Sequence, residues 1–264
     1  MIHPHTYIHP NAKLATNVKV DPFSVIHSNV EIGEGTWIGS NVTIMDGARI
    51  GSNCRIFPGA VISAIPQDLK YNGEDTTVEI GNNTTIREFV TINRGSKARW
   101  TTKVGSNCLL MAYCHVAHDC LIGDNCIMSN NTQLAGHVEI GDFVIIGGMC
   151  AVHQFVKIGQ HAFVTGGSMV SKDVPPFIKA GREPLSYAGV NSVGLKRKGF
   201  SNDRINEVLN IYRIIFNKNL NTTQALNFID EEVPATDERD EIVTFIRESG
   251  RGIIKRYVKG GTED

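Results

Sequence analysis

Four of the nine histidines, His115, His118, His137 and His153, crowd into one stretch of this 264-residue chain. Imidazole exchanges a proton near neutral pH and also binds metals, so such a cluster suits a general base or a ligand set. Spacing adds to this: His118, Gly136 and Gln154 lie eighteen residues apart, as do Asp119 and His137. Upstream, QDLKYNGE gathers Gln67, Asp68, Lys70 and Tyr71; downstream, Lys196, Arg197 and Lys198 offer ammonium and guanidinium groups that suit a phosphate. Taken singly, a histidine at a corner or a short basic run is an ordinary solvated turn. Their weight depends on whether the fold stacks them.

The elements that would stack them are written in a period of six. From Ile2 the aliphatics recur at Ile8, Leu14, Val20, Ile26, Ile32, Ile38, Ile44, Ile50, Ile56 and Ile62, resume at Ile80, Ile86 and Ile92, and run again from Val104 to Val170. A small or β-branched residue sits two places before each one, as in Thr36, Ala48 and Val144, which is the alternation of a short strand with one buried face. Three places after come Asn or Gly, among them Asn11, Asn17, Asn29, Gly35, Asn41, Asn107 and Asn125, the residues that best tolerate a left-handed turn. A period of six scatters the aliphatics around a helix, so helix is excluded. Three strands and three corners close a triangular coil of eighteen residues, and coils stack about 4.8 Å apart into a prism roughly 45 Å tall. All six cysteines, Cys54, Cys108, Cys114, Cys120, Cys126 and Cys150, fall in the small inward position, which predicts buried structural thiols rather than nucleophiles, zinc ligands or disulfides.

The repeat breaks at 63–78 and 95–103 and rejoins in phase, which predicts two extruded loops. It ends at SKDVPPF, where prolines stop strand pairing. The spacing predicts a prism over 1–185 and a small helical domain over 186–264, with Ser201 capping one helix and Thr222 and Thr236 capping others over about 223–232 and 237–258. A formal charge of −1 gives no electrostatic footprint for nucleic acid. No stretch reaches the ~18 apolar residues of a membrane span, and MIHPHTYIHP lacks a signal-peptide pattern, so a cytoplasmic enzyme is expected.

With QDLKYNGE, HVAHDC, LAGHV, IGGMCAVHQF and GVNSVGLKRKGF in hand, the chain resembles the UDP-N-acetylglucosamine 3-O-acyltransferases of lipid A synthesis along nearly its whole length. The resemblance implies a left-handed parallel β-helix, against the usual right-handed crossover rule. It implies a homotrimer with sites between prisms, a 3-hydroxyacyl thioester on acyl carrier protein as donor, UDP-N-acetylglucosamine as acceptor, and no cofactor or metal. His118 is then the general base, Asp68 the carboxylate orienting it, and Gly136 N–H the oxyanion donor. Gln67, Lys70, His115, His137, His153 and Gln154 position substrate, Gly166 bears on acyl length, and Asn191, Arg197 and Lys198 meet the nucleotide. Two positions depart from better-known members: Val193 replaces a glutamate and Lys198 an arginine. Among alternatives, the acceptor is the 3-amino analogue, or His115, His118 and His137 hold zinc as in hexapeptide-repeat carbonic anhydrases. A basic surface of Arg204, Arg213, Lys218, Arg247, Arg251, Lys255 and Arg256 is expected to receive the acidic carrier protein.

Overall fold

The computed structural model describes residues 1–217 and 220–257, with Asn217 by its backbone alone. Strands mostly two residues long alternate with corners, and every third strand pairs in parallel with the one a coil below. A first face of nine strands runs from Tyr7–Ile8 to Met169–Val170, a second of eight from Lys13–Leu14 to Lys157–Ile158, and a third of ten from Lys19–Val20 to Phe163–Val164, closed by Ile178–Gly181 and Ser186–Val190. This is the expected left-handed parallel β-helix with a helical C-terminal part. Val61 pairs with Thr91 and Thr91 with His115, steps of 30 and 24 where an undisturbed coil takes 18, so the two loops add whole repeats and the columns survive them.

Register explains the interior. Ile26, Ile44, Ile62, Ile92, Val116 and Leu134 stack behind the first face, all buried, each contributing about 1.5–3 kcal/mol of transfer free energy. The small inward residues do more than fill space, because each corner turns a carbonyl inward that water cannot reach. Ser24 Oγ donates to Gly39 O (2.7 Å), Thr84 Oγ1 to Gly105 O (2.7 Å), Cys108 Sγ to Gly123 O (3.2 Å) and Cys120 Sγ to Ala135 O (3.2 Å). The six cysteines are free and buried, and burial pushes the Cys114 thiol up to about 11 and Cys120 to about 12.

The corners depart from expectation in one respect. Asn17, Asn41, Asn107 and Asn125 take positive φ as their type predicts, whereas Asn11 and Asn29 do not, and Phe89, Tyr113, Asp119, His137, Phe143 and His161 do. A left-handed non-glycine residue costs about 1 kcal/mol. Here the position is held by the next coil, as when His137 N–H donates to His118 O (3.0 Å), and by ring stacking, as between Phe143 and His161 at 4.8 Å.

The excursions are shorter than expected. Strands Val61–Ala64, Thr77–Ile80, Thr91–Asn93 and Thr101–Val104 reach into them because Thr77–Ile80 pairs along its length with Thr101–Val104, leaving loops over 65–76 and 94–100. The hairpin of Ile178–Gly181 and Ser186–Val190 spans residue 185, carrying the third face to Val190. Among the described residues four helices follow: α1 (Ser192–Arg197), α2 (Asn202–Asn217), α3 (Thr222–Glu232) and α4 (Asp237–Arg247). Ser201 Oγ accepts the Arg204 N–H and Thr236 caps α4 as expected, but Asn221, not Thr222, caps α3, in a reciprocal box with Gln224. Nor does α4 continue to 258: Gly250 and Gly252 follow its end, and the chain returns to bridge Asp173 with Ile253 and Tyr187 with Arg256, while residue 258 lies outside the described residues. Tyr212 of α2 is buried against the prism, its hydroxyl donating to Pro176 O (2.6 Å).

Candidate active site

Between strands His115–Val116 and Leu121–Ile122 the chain turns through Ala117, His118, Asp119 and Cys120, at the corner joining the first and second faces. Asp119 takes φ 60°, which swings its side chain back over its predecessor, so that Asp119 Oδ2 lies 2.7 Å from His118 Nδ1. The carboxylate is 0% exposed and receives three further donors, Ser96 N–H (2.9 Å), Ser96 Oγ (2.7 Å) and Arg99 N–H (3.2 Å). Burial alone would raise its pKa; the hydrogen bonds from His118 and Ser96, with His137 nearby, outweigh burial and hold it below the usual carboxylate range. An ionised carboxylate only accepts, so Nδ1 carries a proton, and in the neutral imidazole Nε2 keeps its lone pair.

That lone pair faces Gly136, one coil along. A Cβ at Gly136 would sit 2.8 Å from both Nε2 and Cε1 of His118, so any side chain would displace the imidazole. His137 stands edge-on to His118, ring centroids 5.2 Å apart, with Nε2 3.6 Å from Asp119 Oδ2. Burial pushes the His137 imidazole down although Asp119 draws it up, and burial with the neighbouring His118 pushes His115 down. His115 Nδ1 is engaged 2.7 Å from Thr91 Oγ1. The donor atoms that gather within 4.8 Å of one another are therefore those of His118, Asp119 and His137, not the trio His115, His118 and His137. A metal there would compete with the hydrogen bonds that already fill the Asp119 carboxylate.

A cleft of about 880 Å³ opens over this corner, and its walls bring together Gln67, Asp68, Lys70, His115, His118, Gly136, His137 and Gln154. The loop over 65–76 forms one wall. Asp68 Oδ1 accepts the Lys70 N–H (3.0 Å), and the place expected for it, against His118 Nδ1, belongs to Asp119. The reason is local: Asp119 is adjacent in the chain and turned back by its own backbone, whereas Asp68 rides a loop that no repeat constrains.

Comparison with known proteins identifies the family. Residues 29–64 and 101–136 match the family model of the bacterial transferase hexapeptide (six repeats), and 173–254 match that of UDP-N-acetylglucosamine O-acyltransferase, domain 2. The acyl-(acyl-carrier-protein) UDP-N-acetylglucosamine O-acyltransferases of Paracidovorax citrulli and Myxococcus xanthus are 51% and 45% identical, each over 96% of this chain and 99% of theirs. The chain belongs to the UDP-N-acetylglucosamine O-acyltransferase family. Solved structures accord: the Bacteroides fragilis UDP-N-acetylglucosamine acyltransferase superposes with a TM-score of 0.95 at 52% identity, covering 97% of this chain and 100% of that one. The Acinetobacter baumannii LpxA superposes at 0.93 and 41%, covering 96% and 99%.

In this O-acyltransferase the other expected site residues are not part of the cleft lining. His153 is exposed, its Nδ1 3.1 Å from Gln154 O. Gly166 stacks on Gly148 and Asn130 at the corner between the third and first faces, where a Cβ would meet Gly148 O at 3.0 Å. Asn191 and Lys198 lie at the corner between the second and third faces, and Arg197 is the last residue of α1, next to Lys198 in the chain. There Asn191 Oδ1 accepts the Gly194 N–H (3.3 Å) as N-cap of α1, and its Nδ2 donates to His161 O (3.0 Å). Lys198 Nζ lies 4.6 Å above the Phe143 ring. His161, buried among Phe143, Phe177 and Phe200, and Ser96 were not signalled by the sequence; the break in the repeat at 95 is the one feature that pointed near Ser96.

Proposed function

We propose that this enzyme transfers a (3R)-3-hydroxyacyl chain from acyl carrier protein to the 3-hydroxyl of UDP-N-acetylglucosamine, in the cytoplasm, as a step of lipid A biosynthesis. The observation that carries this is the 2.7 Å contact of His118 Nδ1 with the buried Asp119, beneath a glycine coil and inside the cleft. His118 Nε2 takes the proton of the sugar 3-hydroxyl as its oxygen attacks the thioester carbonyl. Asp119 stabilises the resulting imidazolium, and the Gly136 N–H supports the oxyanion, a donor of this kind supplying about 3–4 kcal/mol. As the C–S bond breaks, the carrier thiolate recovers the proton from His118. Gln67, Asp68, Lys70, His115, His137 and Gln154 position the sugar and acyl carbonyl.

The assembly we propose is a homotrimer, and the prism's three outward surfaces support it. The second face alternates charge along its length, with Lys13 paired to Glu31 (2.9 Å), Glu79 to Lys103 (4.0 Å) and Glu139 to Lys157 (3.6 Å), as a solvated face should. The third face turns Leu109, Ile127, Ile145 and Phe163 outward, the first carries Val61, Ala151 and Met169, and their shared corner exposes stacked Phe89 and Tyr113. Two unlike faces that carry such apolar stretches and meet at an apolar corner close in a ring when each packs on the other kind. Threefold closure sets the His118 corner of one copy against the Lys198 corner of the next, which reunites the residues that a single chain keeps apart.

The test is product analysis by mass spectrometry with 3-hydroxyacyl carrier proteins and with both UDP-N-acetylglucosamine and its 3-amino analogue as acceptors. Ester formation by the wild type and its loss in His118→Ala are expected. Exclusive amide formation would move the reaction to the analogue, and undiminished turnover by His118→Ala would remove the base.

A further inference from the structure

The loop over 94–100 adds one hexapeptide to the coil, and its polar groups converge on one carboxylate. Ser96 gives Asp119 two hydrogen bonds, from N–H to Oδ1 (2.9 Å) and from Oγ to Oδ2 (2.7 Å), and Arg99 N–H adds a third (3.2 Å). The loop is held in that shape. Ser96 Oγ accepts the Ala98 N–H (3.2 Å), Ser96 O accepts the Trp100 N–H (2.7 Å), and the Arg99 guanidinium is paired with Glu139. Gly95 is required by the tight return, since a Cβ there would lie 2.4 Å from Thr101 N.

The consequence lies at Asp119 Oδ2, which two donors share, Ser96 Oγ and His118 Nδ1, each at 2.7 Å. A third group waits beside it: His137 Nε2, 3.6 Å away. Oδ1 is fixed by the Ser96 and Arg99 N–H groups, but Oδ2 without the hydroxyl can rotate about that anchor toward either imidazole, and a lean toward His137 costs His118 the partner that keeps its proton on Nδ1. Two donors in fixed directions prevent the rotation.

We propose that Ser96 is a positioning residue: its hydroxyl commits the Asp119 carboxylate to His118 rather than His137, and so keeps His118 Nε2 as the proton acceptor. This rests on the reading of His118 as the general base. Ser96 borders the cleft, but its hydroxyl is engaged by Asp119 and the Ala98 N–H, so its effect is expected on turnover and not on the affinity for nucleotide sugar.

The experiment is a double-mutant cycle on the purified, assembled enzyme. Ser96→Ala is expected to lose about 10- to 100-fold in kcat, with KM for UDP-N-acetylglucosamine nearly unchanged, as fits loss of a hydrogen bond to a charged group. Ser96→Thr, which keeps the hydroxyl, is expected to restore most of the rate. In an Asp119→Ala background, Ser96→Ala should cost nothing further. Melting temperature and light scattering check that the variants fold; should the alanine fail, Ser96→Cys, nearly isosteric but a weak donor, takes its place. Wild-type kcat in the Ser96 variant, an equal loss in the Asp119→Ala background, or no rescue by threonine overturns the proposal. Loss of activity in His118→Ala beside an unaffected Ser96→Ala removes this role alone, whereas an active His118→Ala removes the general base itself.

Discussion

Two histidines and one cysteine within a few ångströms of Asp119 divide the chemistry by their surroundings. His118 has its Nδ1 on a buried carboxylate and its Nε2 toward the cleft, while Cys120 points into the prism, bonded to Ala135 O, with burial pushing its thiol up to about 12. A thiol that remains protonated at neutral pH is no nucleophile. His118→Ala is therefore expected to lose about 10²–10⁴ in kcat, while Cys120→Ala keeps turnover and costs about 1 kcal/mol of stability as one weak interior donor is removed. Single-turnover kinetics beside thermal melts of both variants check this, and loss of chemistry in the cysteine variant would contradict it. Asp68→Ala should be milder than Asp119→Ala, because Asp119 is the partner on His118 Nδ1 and Asp68 a wall of the cleft.

Among the elements, α4 reaches the prism through an acidic side chain at Gln160, on the corner between the second and third faces. Glu241 is hydrogen-bonded to Gln160, and burial, with Glu238 and Asp142 nearby and against the Gln160 bond, raises its carboxyl to about 7. A folded-state pKa raised above an unfolded value of about 4.5 means stability that is full below pH 4.5 and is lost as pH rises through 7. Glu241→Gln should then raise the melting temperature at pH 8 and leave it unchanged at pH 4, the gain being on the order of 1 kcal/mol once its partial exposure is discounted. Equal shifts at both pH values would refute the assignment. At the corner between the third and first faces, Gly148 and Gly166 stack without side chains above Asn130. If an acyl chain lies along it, each buried methylene is worth about 0.8 kcal/mol, and Gly166→Met should shift donor preference toward shorter chains in a competition assay. An unchanged profile would dispose of this groove.

For the whole molecule, assembly and carrier recognition depend on surfaces that no single coil defines. Ile145→Glu, which puts a charge on the apolar third face but leaves the interior untouched, should yield folded, inactive monomers by light scattering and circular dichroism. An active monomer would overturn the assembly. The basic surface expected on the helical domain is smaller than its residue count suggests. Arg204 is paired with Glu238 and Arg247 with Asp230, Arg251 donates to Ser171 O (3.2 Å), and Lys218 lies outside the described residues. Arg213, Lys255 and Arg256 are exposed and are the better candidates to meet an acidic carrier. Raising ionic strength should increase KM for the carrier substrate and spare that for the nucleotide sugar.

The architecture was legible because the chain repeats. With strands and corners of fixed length, residue number becomes position, and the stacking of Gly136 over His118 follows from their separation of eighteen. Inward and outward residues, the buried cysteines and both extruded loops follow in the same way. What the tertiary structure alone decided concerns groups that meet outside the repeat. Asp119, not Asp68, holds His118, because the left-handed corner three places after Val116 turns the carboxylate back, and the repeat gives that corner's place without showing which side chain its carboxylate meets. Ser96 reaches the same carboxylate from a loop whose path obeys no period. Gly250 and Gly252 mark the stop of α4 after Arg247 in the sequence, but the pairing of the segment beyond it with the prism at Asp173 and Tyr187 joins residues too distant in the chain to leave a local mark.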